Sequence, residues 1–193
     1  MMNQNPRARS RRGFTIIELI VVLTVVGVLT SIAAPLVTPG RWRADVSVQE
    51  VMAGLGAAQR LAVLRQHDVV VTFLLDDRSL RVHRDGDNDG VVDAGEDVRL
   101  HQLPETMGFG LGSTPAIGAD PSTATATFAD DGAGPTLVFH RNGSASEAGR
   151  IYLRPLEGHQ STDAAGARAL VVERSTGEVR CFSYRTGAWE AEC

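Results

Sequence analysis

Aromatic residues are scarce, at 5% of 193 positions, and there are only two cysteines. Neither cysteine stands near His67, His83, His101, His140 or His159, and no two histidines have the spacing of metal ligands, so the pattern of a zinc centre is absent. Ser144 and Ser146 lie in a turn without the glycines of a nucleophile elbow, which leaves nucleophilic catalysis without support. Residues 1–13 hold no acid but four arginines, Arg7, Arg9, Arg11 and Arg12. Removing those four charges from the formal net charge of −4 leaves −8 on the rest. So acidic a body argues against backbone-driven nucleic-acid binding, which needs a positive surface to displace counterions. These absences point to a protein that is not an enzyme.

What is present is a chain 43% hydrophobic and 22% charged, enough for one globular domain with a real core plus an appendage. The appendage is the N-terminus. After the basic stretch "MMNQNPRARSRR", the residues from Phe14 to Ala34 are apolar except for Thr15, Glu18, Thr24, Thr30 and Ser31. About 20 such residues suffice for a membrane-spanning helix and exceed a signal-peptide core, and the flanking arginines keep that end cytoplasmic. Glu18 is anomalous there. A carboxylate at a bilayer centre costs roughly 2.5 to 3.5 kcal/mol, less near an interface, so it requires a partner.

Pro35, then Pro39 and Gly40, should kink or break the helix. Ser47 and Glu50 form a capping-box signature for a second helix, in which Val48, Val51, Met52, Leu55, Ala58, Leu61 and Ala62 make one apolar stripe to lie on a sheet. From "HDVVVTFLLDDRSLRVHR" the period becomes two, with Asp76-Asp77-Arg78 as a turn between strands. Further turns are expected at Arg141-Asn142-Gly143, Ser175-Thr176-Gly177 and Arg185-Thr186-Gly187. Residues 109–134, rich in Gly, Ala, Thr, Ser and Pro, read as a long mobile loop. Cys181 and Cys193 flank the last hairpin. A turn at Thr186-Gly187 would set them nearly opposite each other for a disulfide if the compartment is oxidising; two free thiols in a cytosolic chain are the alternative.

"RGFTIIELIVVLTVVGVLTSIAAP" resembles the N-terminus of type IV pilins and type II secretion pseudopilins. The split helix, the hairpins, "LVFHRNGSASEAGRIYL" and "LVVERSTGEVR" resemble the globular domain of GspH/FimT-type minor pseudopilins. The resemblance implies an α+β, pilin-like fold in three parts. Residues 1–13 are a leader, 14–35 a transmembrane and assembly helix, and 36–193 a periplasmic domain with the helix packed on an antiparallel sheet. It implies that prepilin peptidase cuts after Gly13 and methylates the new amine of Phe14, with Pro35 at the family's helix-kinking position. Glu18 of an incoming subunit would then pair with the Phe14 amine of a neighbour. The implied partners are that peptidase, other major and minor pseudopilins and the inner-membrane assembly platform. The implied role is a low-copy subunit of a pseudopilus tip or initiation complex supporting protein export. A FimT-like minor pilin of a type IV pilus is the alternative within the family. A soluble periplasmic binding protein released at the small-x-small site Ser31-Ile32-Ala33 is the alternative outside it.

"DGDNDGVVDAGE", residues 85–96, fits the twelve-residue calcium loop at every defined position. Calcium is the cofactor such a loop would take, with Asp85, Asp87 and Asp89 as monodentate ligands, the Val91 carbonyl, Asp93, and Glu96 through both oxygens. The flanks read as strands instead of EF-hand helices, and a metal-free acidic turn is the other reading. FimT-like pilins can bind DNA through a basic C-terminal turn, here Gly177-Glu178-Val179-Arg180 with Arg174 and Arg185 nearby. Glu178 stands where that turn carries an arginine, which removes a phosphate contact and adds repulsion.

Overall fold

The computed structural model describes residues 14–33, 39–118, 124–156, 164–191 and 193. The chain divides into two compact units at the Thr38–Pro39 boundary. In the first, helix α1 runs Ile16–Ala33. Its apolar side chains from Ile16 to Leu29 are exposed all round, so it has no polar face. Its hydroxyls turn inward on the helix itself: Thr24 donates to the Val21 carbonyl, Thr30 to Val26 and Ser31 to Val28, at 2.7 to 2.8 Å.

The second unit opens with helix α2, Pro39–Arg65, followed by β1 Asp68–Leu74, β2 Ser79–Asp85, β3 Val98–Gln102, β4 Met107–Phe109, β5 Thr136–Phe139, β6 Gly149–Pro155, β7 Arg168–Val172, β8 Val179–Arg185 and β9 Ala188–Glu190. The strands form two antiparallel sheets, ordered β3-β2-β1-β5 and β4-β6-β7-β8-β9. Val48, Val51, Leu55, Ala58 and Ala62 are buried with Ala44 in one core shared with Val69, Val71, Phe73, Leu137, Ile151, Leu153 and Leu170, and Met52 and Leu61 pack beside them. The apolar stripe of α2 therefore serves both sheets. Burial of each such side chain stabilises by about 1.5 to 3 kcal/mol. Phe73 closes the far side, stacked on Phe128 at 5.5 Å and edge-on to Phe109 at 6.0 Å.

The start of α2 corrects the expectation from Ser47 and Glu50. Pro39 is its first residue, where a missing N–H costs nothing and φ is already helical. Ser47 lies inside the helix on its buried face. The expected break after Pro35 falls on residues 34–38, outside the described ones.

Within the described parts of residues 109–134, two short segments are paired where a loop was expected. Gly110 N–H donates to Tyr152, Thr127 N–H to Arg150, and Tyr152 N–H to Thr125, so two segments of this stretch lie end to end along the open edge of β6. Phe128 is in the core. Such pairing uses backbone alone, so the small-residue composition concealed it. The turn at Arg141-Asn142-Gly143 forms, with Gly143 N–H donating to His140 at 2.8 Å, and closes a short hairpin in which residues 144–146 pair back on β5 before the chain crosses to the other sheet.

Two polar contacts fasten α2 to its surroundings. The Gln59 amide donates to the carbonyls of Gly143 and Thr176, each at 2.7 Å, joining the turn after β5 to the turn between β7 and β8. At Gly177, φ is +65°, and a Cβ there would meet the Gly143 carbonyl and the Gln59 amide. Nearer the helix start, Arg168 is 1% exposed and donates through Nε and Nη2 to Asp45 Oδ1 at 2.9 and 2.7 Å, and through Nη1 to the Ala167 carbonyl. Removing Asp45 takes two hydrogen bonds and a counter-charge from the buried guanidinium. Because Asp45 is 37% exposed, Asp45→Ala should cost about 3 kcal/mol, the low end for such pairs, in a urea unfolding curve. A loss under about 0.5 kcal/mol would mean the pair contributes nothing.

Candidate functional site

Phe14 and Thr15 precede α1, and Thr15 caps it. The Glu18 N–H donates to Thr15 Oγ1 at 3.3 Å, and the Thr15 N–H reaches Glu18 Oε2 at 3.5 Å, a loose capping box. The carboxylate thus lies at the positive end of the helix, one turn from Phe14, where a new amine would appear on cleavage. With Thr24, Thr30 and Ser31 satisfied by their own helix, Glu18 is the charged group of α1 left to seek a partner outside it. Gly13 and Pro35 lie outside the described residues. At 18 residues and a rise of about 1.5 Å each, α1 measures about 27 Å against about 30 Å of hydrocarbon. No helix among the described residues is by itself long and apolar enough to cross a membrane.

The acidic loop links β2 to β3. Oxygens of Asp85, Asp87 and Asp89 lie within 4.8 Å of one another. Asp85 is buried and accepts from the N–H groups of Asp89 and Gly90 at 3.1 and 2.8 Å, while Asp89 accepts from Val91. Desolvation first, then the charge of Asp89, with smaller contributions from Asp85 and Asp93, hold the Asp87 carboxyl above the usual aspartate range. These three could share a cation. Glu96 is engaged elsewhere: it accepts from Gly86 N–H at 2.7 Å, Asp93 N–H at 3.1 Å and His83 Nε2 at 2.6 Å. The Gly86 and Asp93 amides, and then His83, lower its pKa from 4.5 to about 2. Its carboxylate closes the base of the loop. Asn88, from the same loop, accepts the Asp68 N–H that opens β1.

The three arginines of the turn judged unfavourable for nucleic acid do not converge. Arg174 lies in the turn before β8, whereas Arg180 and Arg185 lie near opposite ends of that seven-residue strand and differ in parity, so they point to opposite faces. Cys181 and Cys193 are bonded, with Cα atoms 5.7 Å apart. The hairpin they close carries Trp189, whose indole N–H donates to the Pro115 carbonyl at 2.8 Å and whose ring meets Tyr152 and Tyr184. Among the residues sequence reasoning passed over are Thr15, Gln59 and the Asp45–Arg168 pair. Thr15 alone carried a signal, the Thr-x-x-Glu capping spacing.

Residues 8–34 match the prokaryotic N-terminal methylation motif, and residues 47–176 match the family described as type II transport protein GspH. The chain belongs to the GspH family. This GspH-family chain is 28% identical over 153 residues to the pilin-like protein PilA1 of Thermus thermophilus, covering 70% of this chain and 97% of PilA1. Among solved structures, it is similar to the minor pseudopilin EpsH of the Vibrio cholerae type 2 secretion system, at 15% identity and a TM-score of 0.48 over 73% of this chain and 97% of that one. It is similar also to the type IV minor pilin FimU of Pseudomonas aeruginosa, at 18% identity and a TM-score of 0.47 over 79% and 96%. Family membership bears out the resemblance read from the N-terminal motif and the strand segments. The expected α+β pilin-like architecture is also present, as a helix packed on antiparallel strands. The chain is a pilin-like protein of the type II secretion or type IV pilus kind. The family implies a structural subunit assembling with other pilins, and the motif implies processing by prepilin peptidase and a membrane-anchored chain with a periplasmic domain.

Between about pH 4.5 and 2 the unfolded chain takes up a proton that folded Glu96 refuses, so its stabilisation is complete above this window and is lost as the pH falls through it. Glu96→Gln should therefore flatten the acid limb of unfolding free energy against pH in urea melts, and an unchanged limb would show that the loop does not depend on this carboxylate. Cys193→Ser should lower stability by up to about 3 kcal/mol on the loop-entropy estimate for a closed loop of this length. Chemical denaturation followed by tryptophan fluorescence measures it.

Proposed function

We propose that this chain is a minor pseudopilin of a type II secretion system, a subunit of the pseudopilus tip or initiation complex that supports protein export without catalysing a reaction. The observation that carries the reading is the placement of Glu18: a carboxylate held at the N-terminal end of an otherwise apolar helix, within the methylation motif. Cleavage after Gly13 would place an ammonium on Phe14 beside that carboxylate. Two opposite charges in an apolar medium strongly favour pairing, and pairing between subunits sets one helix in register against the next. In this reading residues 14–35, including Pro35, anchor the chain in the bacterial inner membrane by a single pass, and the second unit stands in the periplasm. The bonded cysteines agree with that oxidising compartment. The inner-membrane assembly platform and other pseudopilins are its partners.

The match to PilA1 along nearly the whole of that protein favours a second reading, a minor pilin of a type IV pilus. Deletion of the gene separates the two: the secretion reading expects loss of exported protein with pili intact, and the pilus reading expects the reverse.

Mass spectrometry of the chain recovered from membrane and soluble fractions should show methylated Phe14 at the N-terminus; a chain starting at Ala34 or Pro35 would return the soluble binding-protein reading. Glu18→Ala should leave the chain cleaved and inserted yet reduce its incorporation into filaments by roughly tenfold or more, corresponding to at least about 1.4 kcal/mol of lost pairing. Normal incorporation would remove the role assigned to Glu18.

A further inference from the structure

The two sheets treat their edges differently. The outer edge of β5 is covered, with Ser146 N–H donating to Val138, His140 N–H to Ser144 and Thr136 N–H to Ala129. That of β6 is covered by β4 and residues 125–127. Strand β9 is only three residues long and is followed by the disulfide. Strand β3 is open. Arg84 N–H donates to Asp97, and Leu103 N–H to Arg78, which fixes the ladder register. Asp97, Arg99, His101 and Leu103 face β2, and the N–H and C=O groups of Val98, Leu100 and Gln102 point outward. Among the described residues this is the longest open edge.

The devices that normally blunt such an edge are missing from β3. It contains no proline, and the whole chain contains no lysine. Its one arginine, Arg99, is paired with Asp97 at 3.0 Å. All five residues are exposed, and Leu100 and Val98, 65% and 39% exposed, lie with Thr72 and His83 on the sheet face away from α2. An alternating row of donors and acceptors, hydrated while it is free, is matched group for group by another extended backbone.

Charge selects among such backbones. Residues 85–98 carry six acids and no base. A parallel copy would set two such loops side by side, which is repulsive. An antiparallel copy would lay the loop beside Gln102 and Glu105 of its mate, where Arg78, donating to the Glu105 carbonyl, only offsets the charge of Glu105 and leaves the loop without a net positive partner. We propose that the outer edge of β3 docks an extended strand of a different, neighbouring subunit. That strand presents apolar side chains to Val98 and Leu100 and a basic residue to the acidic loop. This deepens the proposed function and rests on it, since the partner is taken to be another member of the assembly.

The test compares amide hydrogen exchange of the full chain in membranes carrying the complete assembly with that of the same chain purified in detergent. Val98, Leu100 and Gln102 should exchange at least roughly tenfold more slowly in the assembly. Raising NaCl from about 0.1 to 0.5 M should reduce that protection, because it screens the acidic loop. Leu100→Pro removes only an outward N–H, so it should abolish the protection while leaving the melting temperature within a few degrees. Leu100→Lys, which adds the missing edge charge without touching the backbone, should do the same. An assembled wild-type chain whose β3 amides exchange at the detergent rate overturns the docking edge and leaves assembly through Glu18 standing. Protection that grows with the concentration of purified chain alone means that a second copy is the occupant, and overturns the proposal. A chain never found in the assembly removes the proposed function and this inference together.

Discussion

One stripe of side chains on α2 has to be covered by two sheets that share no strand pairing. Everything else in the globular unit is arranged around that demand. Val48, Val51, Leu55, Ala58 and Ala62 supply the apolar area. Arg168 reaches from the second sheet to Asp45 near one end of the helix, and Gln59 reaches the turns at Gly143 and Thr176 toward the other. The apolar contacts are non-directional and would tolerate sliding. The two polar contacts are directional and fix the helix along its axis.

Elements with a strong period were legible in the sequence. The α2 stripe, the β1–β2 hairpin and the last three strands follow from spacing and turn residues, because burial enforces the pattern there. What failed was local pattern without periodic support. Ser47 and Glu50 have the capping spacing, but Pro39 starts the helix and Ser47 is buried within it; the same spacing at Thr15 and Glu18 does form a box. Gly110, Thr125, Thr127 and Ala129 pair through backbone groups that every residue carries, so composition could not reveal them. Arg168 at the start of a strand reads as a solvent-facing charge until Asp45 is brought to it across the fold. The acidic loop matches a twelve-residue calcium pattern letter by letter, yet folding brings three of its carboxylates together and turns Glu96 toward His83 and two amides.

The two units obey opposite solvation rules. The hydroxyls of α1 are turned back on their own helix, so that it offers surroundings almost nothing but hydrocarbon and one carboxylate. The globular unit keeps most of its charge outside, Arg168 and Asp85 being buried exceptions, and concentrates acid in one loop next to the longest open strand edge among the described residues. The proposed assembly would draw on two kinds of contact, one ionic and within an apolar medium, the other a backbone ladder in water.

The doubly donating amide of Gln59 has a consequence for how the domain opens. The turn after β5 and the turn between β7 and β8 are distant in sequence and belong to different sheets, yet both end on the same nitrogen. Releasing either turn leaves that nitrogen half satisfied and weakens its hold on the other. The two turns therefore behave as one cooperative unit, and substitutions in them should be non-additive although their residues stand on separate sheets.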